Sequence, residues 1–532
     1  MGLSISKVWA RLRRTFRDER GAIAPMFAVV LVPLVIAAGI GVDVARAMSS
    51  RNNLQDALDA TALALAHLPP NTPQTTLNTK ANAWLTANLT DGNLGTVNMT
   101  VTQTTGQLVL TATSTVKTTL TGLAGVSTIP VQAASTAKWG LTHVEIALVL
   151  DNTGSMAGTK LTTLISAANT LVDTLQSTTQ SSDPSALKIS VVPFSMTVNI
   201  GSQYQGQSWL TGTMPTAYGS DVFGTSTDRF TAFSNLGKSW AGCVESRPQP
   251  YDVQDTPPTS GATLFVPFFA PDEPGDGSGN DSVSGDTYPN DYIADGITTD
   301  MGYTWKDLEI YAVKYNCKKF KSSNGTCKTT GTPTVRTGTA GNGYQLGPNS
   351  GCSLTSLLRL TNDTTAVKTK LGQMQAVGDT NIPMGMMWGW HTLSPSAPFG
   401  DGTAYNTYGV KKIVVLLTDG DNTMGSTSNG NASNYNGMGY IWQNRLGITS
   451  GSTSARTTAI DGRLTTVCSN MKNPNVNITI YTVRIDLSGT APAALSGCAS
   501  LPEYFYDVPD VSKLSDAFTA IAGSIGDLRI AK

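Results

Sequence analysis

The longest uninterrupted apolar stretch runs from Gly21 to Val42, 22 residues without a charge. At 1.5 Å per helical residue, about 20 such residues cross a bilayer core. Six Lys or Arg precede it (Lys7, Arg11, Arg13, Arg14, Arg17 and Arg20), whereas Asp43, Arg46 and Arg51 follow. The basic bias predicts residues 1–20 in the cytoplasm, a transmembrane helix over 21–42 and everything later outside. A cleaved signal would have a shorter apolar core. Instead the helical pattern continues through Leu54, Ala57, Leu58, Ala62 and Leu65, and Pro69-Pro70 stops it.

Further along, KANAWLTANL reads as a short helix. NMTVTQTTGQLVLTATSTVKTTL and IPVQAASTAKW alternate polar and apolar residues, as half-buried strands do. Residues 43–140 therefore predict a helix leading into a small β-rich stalk. From 141 to 532 the pattern changes. VEIALVL is a continuous apolar run, as in a buried parallel strand, and KLTTLISAANTLVDTLQ has helical spacing. LKISVVPFS, KKIVVLLTDGDNT and NITIYTVRIDL are further strands, with helices around ARTTAIDGRLTTVCSNM and VSKLSDAFTAIAGSIGDL. Such alternation predicts a doubly wound α/β sheet covered on both faces. The regularity fails between about 200 and 355, a large insertion, and again in a loop at about 425–452.

Composition narrows the function. Lys+Arg number 36 and Asp+Glu 37, charged residues are 14% of the chain, and Gly is plentiful at 52. That balance excludes the basic surplus of a nucleic-acid binder. All six Cys (243, 317, 327, 352, 468 and 498) follow the apolar span without a C-x-x-C pair, which favours disulfides outside the cytoplasm. Fifteen connectivities are open; the preferred set is Cys317–Cys327 as a short loop, Cys468–Cys498 flanking one strand, and Cys243–Cys352 as the remainder. Asp272, Glu273, Asp276, Asp281, Asp286, Asp291, Asp295 and Asp300 concentrate acid in the insertion. Their spacing does not fit an EF-hand, and a solvated acidic loop is the preferred reading over calcium binding.

Ligands of doubly wound sheets gather at the C-terminal ends of strands. Two polar turns sit there, Asp151-Asn152-Thr153-Gly154-Ser155 and Thr418-Asp419-Gly420, and a third segment, Gly378-Asp379-Thr380-Asn381-Ile382-Pro383, precedes an apolar helix, MGMMWGWHTL. They offer carboxylates and hydroxyls, the hard oxygen donors that Mg²⁺ takes. These residues resemble the metal-ion-dependent adhesion site of von Willebrand factor A domains. The resemblance implies that Asp151, Thr153, Ser155, Thr380 and Asp419 surround a Mg²⁺ ion, with Ca²⁺ or Mn²⁺ as substitutes. It further implies an open coordination position filled by an Asp or Glu of a protein partner. Thr153 stands where that family usually has Ser and keeps the hydroxyl. Asp379 and Asp421 are neighbouring acids that tune local charge.

The stretch RDERGAIAPMFAVVLVPLVIAAGIGVDVARAMSSRNNLQDALDATALALA resembles the TadG-like proteins of the tight-adherence (Flp) pilus machinery. That resemblance implies a single-pass protein of the bacterial inner membrane, a pilin-like stalk, and pilus or secretion-machinery partners. Prepilins of this system usually carry Glu five residues after the cleavage-site Gly. Here that position is Met26, which fits an uncleaved anchor. The alternatives are a calcium-stabilised structural stalk, a surface adhesin without a pilus role, and, least favoured, a serine hydrolase. Ser155 lies in T-G-S-M rather than G-x-S-x-G, and of the three His only His391 is placed to serve a triad. No covalent chemistry is expected.

Overall fold

The computed structural model describes residues 23–529 apart from 67, 69–71, 105–106, 139–142, 179–182, 215–221, 224–226, 277–281, 340–342 and 486–489. Two compact units divide the chain at Gly140 and Leu141. Asp281, His67 and the Pro69-Pro70 stop lie outside the described residues.

In the first unit, helix α1 (Ile23–Ala66) is one 44-residue rod with Pro33 inside it. Its N-terminal half exposes Met26, Phe27, Val29 and Val35, and is long and apolar enough to cross a membrane. Its C-terminal half buries Leu54, Ala57, Leu58, Ala62 and Leu65, the helical stripe of the sequence. Helix α2 (Gln74–Asn88) follows, then the antiparallel sheet β1 (Asn98–Thr104), β2 (Gln107–Lys117) and β3 (Thr128–Lys138) in that order. Strand β2 alternates buried and open positions, so one face of the sheet meets the stripe of α1. Two α1 side chains cover backbone carbonyls of edge strand β3: Arg51 Nε donates to Gln132 O at 3.1 Å and Gln55 Nε2 to Ala134 O at 2.8 Å.

Within the TadG-like stretch, the segment Gly41-Val42-Asp43-Val44-Ala45-Arg46 has a structural meaning in this unit. Asp43 Oδ2 accepts from the backbone N–H groups of Leu120 (2.9 Å) and Thr121 (2.8 Å) and from the Thr121 hydroxyl (2.8 Å). Thr119 N–H adds a bond at 3.1 Å, and Arg46 reaches the Thr119 hydroxyl at 2.9 Å. Gly39 permits the close approach, because a Cβ there would lie 2.5 Å from Leu120 Cβ. One carboxylate thus clamps the turn after β2 to the helix. Hydrogen bonds to a charged group contribute about 1.5–3 kcal/mol each. Asp43→Ala is therefore expected to raise the exchange rate of the Thr119, Leu120 and Thr121 amides at least about tenfold in hydrogen-exchange mass spectrometry, with Asp43→Asn intermediate. Unchanged protection would remove the clamp from the account.

The second unit is built on a six-stranded sheet. Strand β4 (His143–Asp151) leads to helix α3 (Thr159–Thr178) and strand β5 (Leu187–Phe194). After the insertion come β6 (Leu358–Thr361), α4 (Thr364–Gly372), α5 (Ile382–Leu393) and β7 (Val410–Thr418). Helix α6 (Thr453–Lys472), strands β8 (Thr479–Ile485) and β9 (Phe505–Val508), and helix α7 (Leu514–Arg529) complete it. The spatial order is β6-β5-β4-β7-β8-β9, with β6 antiparallel and the rest parallel. This is a doubly wound sheet whose order reverses between β4 and β7.

Each central strand feeds both faces. Ile146, Leu148, Ile413 and Val415 join one core with α3, α4 and α7, whereas Ala147, Val149, Val414 and Leu416 join another with α5 and α6. The insertion supplies Trp209, Phe265 and Phe268 to that second core, and Phe265 meets Trp388 of α5 with ring centroids 4.8 Å apart. Helix α5 sits tight on the sheet through two glycines, since a Cβ at Gly385 or Gly389 would lie 2.6 Å from Phe194 or 2.5 Å from Val149. The disulfides pair Cys243–Cys352, Cys317–Cys327 and Cys468–Cys498, as preferred from the sequence.

One expectation is overturned. The acids of the insertion do not form a solvated loop: Asp272, Glu273, Asp291 and Asp295 are buried, and Asp276, Asp286 and Asp300 are partly so. The reason is tertiary. Asp272 pairs with buried Lys314 at 3.0 Å. Glu273 accepts from Asn290 N–H at 2.7 Å and from the Tyr440 hydroxyl at 2.8 Å. Asn431 of the second loop donates to both Glu273 and Glu309, at 3.3 and 3.2 Å. Burial lifts Glu309 and Asp295 each to about 8, helped by the neighbouring charges of Glu273 and Asp272 respectively. A carboxyl raised in the folded state contributes stability at low pH, and loses it as pH climbs from the ordinary carboxylate range to about 8. With each group worth up to about 1.4 kcal/mol per pH unit in that window, calorimetric melting in chelator should fall from pH 6 to pH 8.5, and Glu309→Gln should flatten the slope. A flat profile for the unsubstituted chain contradicts the buried cluster.

Candidate metal centre

Strand β4 ends at Asp151, and the chain turns through Asn152 to Ser155 before α3 begins. Asp419 directly follows β7. The two strands are parallel neighbours, with Leu150 opposite Leu417, so both turns emerge at one rim of the sheet. The loop before α5 joins them through its backbone: Gly154 N–H donates to Gly378 O at 2.9 Å, and Val377 N–H to Asn152 O at 2.7 Å. Gly378 adopts φ +81°, and a Cβ there would press on the Ser195 hydroxyl at 3.3 Å.

The side chains form a chain of oxygens. Thr153 Oγ1 and Ser155 Oγ are 3.0 Å apart, and Ser155 donates to Asp419 Oδ1 at 2.7 Å. Asp151 is fully buried. Its Oδ1 accepts from Thr153 N–H at 2.8 Å and its Oδ2 from the Thr418 hydroxyl at 2.6 Å. Thr380 is held by a reciprocal pair with Thr423, accepting at its carbonyl (2.8 Å) and donating from its N–H (2.9 Å). Its hydroxyl faces the Asp419 turn, 3.9 Å from where a Gly420 Cβ would stand. All five sequence candidates thus reach one rim; four are linked by direct bonds, and Thr380 adjoins them. Of the neighbouring acids, Asp379 ties down the second loop by accepting from Gly425 N–H at 2.9 Å, and Asp421 is exposed.

The donor set fits a hard divalent ion. It consists of oxygen alone, with Ser155 exposed at the mouth and both carboxylates buried. Burial, with the nearby charge of Asp419, raises Asp151 to about 6 against hydrogen bonds from Thr153 and Thr418. A cation would relieve that cost. Among the described residues no three His, Cys, Asp or Glu gather as a metal group; this centre offers two carboxylates, so its hydroxyls would have to complete it. A sixth residue escaped the sequence reading: Lys160, in the first turn of α3, donates to Asp419 Oδ2 at 2.8 Å. Its one signal was a lone cation closing the motif DNTGSMAGTK. Among the described residues Ser155 and His391 have separate carboxylate partners: the Ser155 hydroxyl donates to Asp419, and His391 pairs with Asp255 at 3.2 Å.

Residues 21–67 match the family model described as putative Flp pilus-assembly TadE/G-like. No curated protein matches the chain. Among solved structures it is similar to the von Willebrand factor domain of the type V pili tip protein Mfa5 from Porphyromonas gingivalis, at 11% identity over 72% of this chain and 95% of that one, TM-score 0.30. A variant of the PilB minor pilin from Streptococcus sanguinis gives 10% over 83% and 81%, TM-score 0.31. A von Willebrand factor type A structure from Catenulispora acidiphila gives 11% over 81% and 50%, TM-score 0.26. The chain thus has an N-terminal segment similar to Flp pilus-assembly TadE/G-like proteins, and its second unit carries a doubly wound α/β sheet.

Proposed function

We propose that this protein is a membrane-anchored component of tight-adherence (Flp) pilus assembly that binds a protein partner through a divalent cation, without covalent chemistry. The observation that carries the reading is the convergence of Asp151, Thr153, Ser155 and Asp419 into one bonded set at the sheet rim, beside Thr380. Mg²⁺ would be held by these residues and would supply an electrophilic position for a partner carboxylate. The chain's own groups do the rest. The two carboxylates furnish negative charge inside a low-dielectric rim. Thr153 N–H and the Thr418 hydroxyl fix the orientation of Asp151, and the exposed position of Ser155 leaves the mouth open to another protein. The TadE/G-like segment supports placement in the bacterial inner membrane through residues 21–42, with the rest outside.

The test is capture of partners by full-length chain in detergent, with Mg²⁺ against EDTA. A pilus or secretion-machinery protein retained with Mg²⁺, released by EDTA and restored by added Mg²⁺ is the expected result. Identical capture in both conditions would leave the stalk reading in its place.

A further inference from the structure

We propose that Lys160 is a tethered competitor at this centre, whose ammonium shares Asp419 with the divalent ion and so sets how tightly the ion is held. The inference rests on the metal reading above. Asp419 divides its two oxygens: Oδ1 takes the Ser155 hydroxyl at 2.7 Å and Oδ2 takes Lys160 at 2.8 Å. The Asp419 side chain is wholly buried, whereas that of Lys160 is 24% exposed. The acid is therefore fixed and the base is able to move, its ammonium riding on a flexible four-carbon stem that reaches solvent. The lysine also sits against local preference. It occupies the first turn of a 20-residue helix that has no acid there, where the helix dipole disfavours a cation. The residue that compensates for this placement is Asp419, 259 positions away.

The charges give the sign. Asp151, Asp419 and Lys160 sum to −1 formally, and a divalent ion brings the set to +1. If Lys160 stays, it repels the incoming ion; if it withdraws, its ion pair with Asp419 is lost. Both routes weaken the metal, so removing the ammonium must tighten it.

The experiment is a Mn²⁺ titration of full-length chain in detergent, followed by loss of the free-ion electron paramagnetic resonance signal. Lys160→Met, which keeps the stem, is expected to bind one Mn²⁺ at least about tenfold more tightly than the unsubstituted chain. Lys160→Arg should behave like the unsubstituted chain, and Lys160→Gln stands in should the Met variant fail to fold. Equal or weaker binding by the neutral variants overturns the competitor. Uptake by neither the unsubstituted chain nor the neutral variants, with folding shown by melting, overturns the metal reading itself.

Discussion

Asp151→Asn should lower Mg²⁺ affinity by about a hundredfold or more while leaving the fold intact. The magnitude follows from charge. Two unit charges about 4 Å apart interact by roughly 4 kcal/mol at an effective dielectric of about 20, and a divalent ion doubles that. If relaxation and water recover more than half, about 3 kcal/mol remains, or two decades in affinity. The fold survives because the substituted amide keeps an oxygen for Thr153 N–H, now at 2.8 Å from Oδ1. Thr418 also has other bonds, donating to Gly420 O at 3.1 Å and accepting from Gly420 N–H at 3.2 Å. Asp151→Ala is the harsher variant, since it strands the Thr153 N–H in a fully buried position at about 1–3 kcal/mol. Calorimetric titration with Mg²⁺ reads the affinity and thermal melting reads the fold. Undiminished Mg²⁺ uptake by Asp151→Asn would mean that the ion, if bound, is bound elsewhere.

The sheet and the rim were readable because their signals are local. Apolar runs such as VEIALVL mark strands buried on both faces, and β4 buries every residue from Val144 to Asp151. The turns at Asp151 and Asp419 stand directly at the ends of such strands, so chain order alone predicts a common edge for those two. Strand β6 escaped because LRLT is short and mostly half-buried, with no run to detect. The acids of the insertion misled for the opposite reason. Between Asp and Gly the local pattern is that of a solvated loop, and burial of Glu273 comes from Tyr440 and Asn431, 167 and 158 positions downstream. Lys160 is the same case: nothing beside it announces a carboxylate 259 residues away. Long-range polar partners are what pattern reading lacks, and in this protein they carry the charge balance of both the insertion and the rim.

Removing the Cys243–Cys352 bridge, by the double substitution to Ser, should be the most destabilising of the three disulfide deletions. The chain-entropy account scales with the loop closed, about 3 kcal/mol for 15 residues and about 4.7 kcal/mol for 100. The separations here are 109, 30 and 10 residues for Cys243–Cys352, Cys468–Cys498 and Cys317–Cys327, which sets the order of loss. Location sharpens the contrast. Cys243 is fully buried at the neck of the insertion, where its carbonyl accepts from Trp240 Nε1 at 2.7 Å and from Phe268 N–H at 2.8 Å. Beside Cys352, Asn199 spans the neck, donating to Leu354 O at 3.1 Å and accepting from Leu357 N–H at 2.7 Å. Loosening this neck frees the segment that carries Trp209, Phe265 and Phe268 into the core around α5. The Cys317–Cys327 bridge instead closes a hairpin whose strand residues Lys318, Lys319 and Lys328 are exposed, and local pairing holds much of its shape without it. Denaturant unfolding of the second unit within the full chain should therefore show losses of about 4 kcal/mol for the neck bridge and about 2–3 kcal/mol for the hairpin bridge. An inverted order would mean that the insertion is held by its aromatic packing and not by its neck.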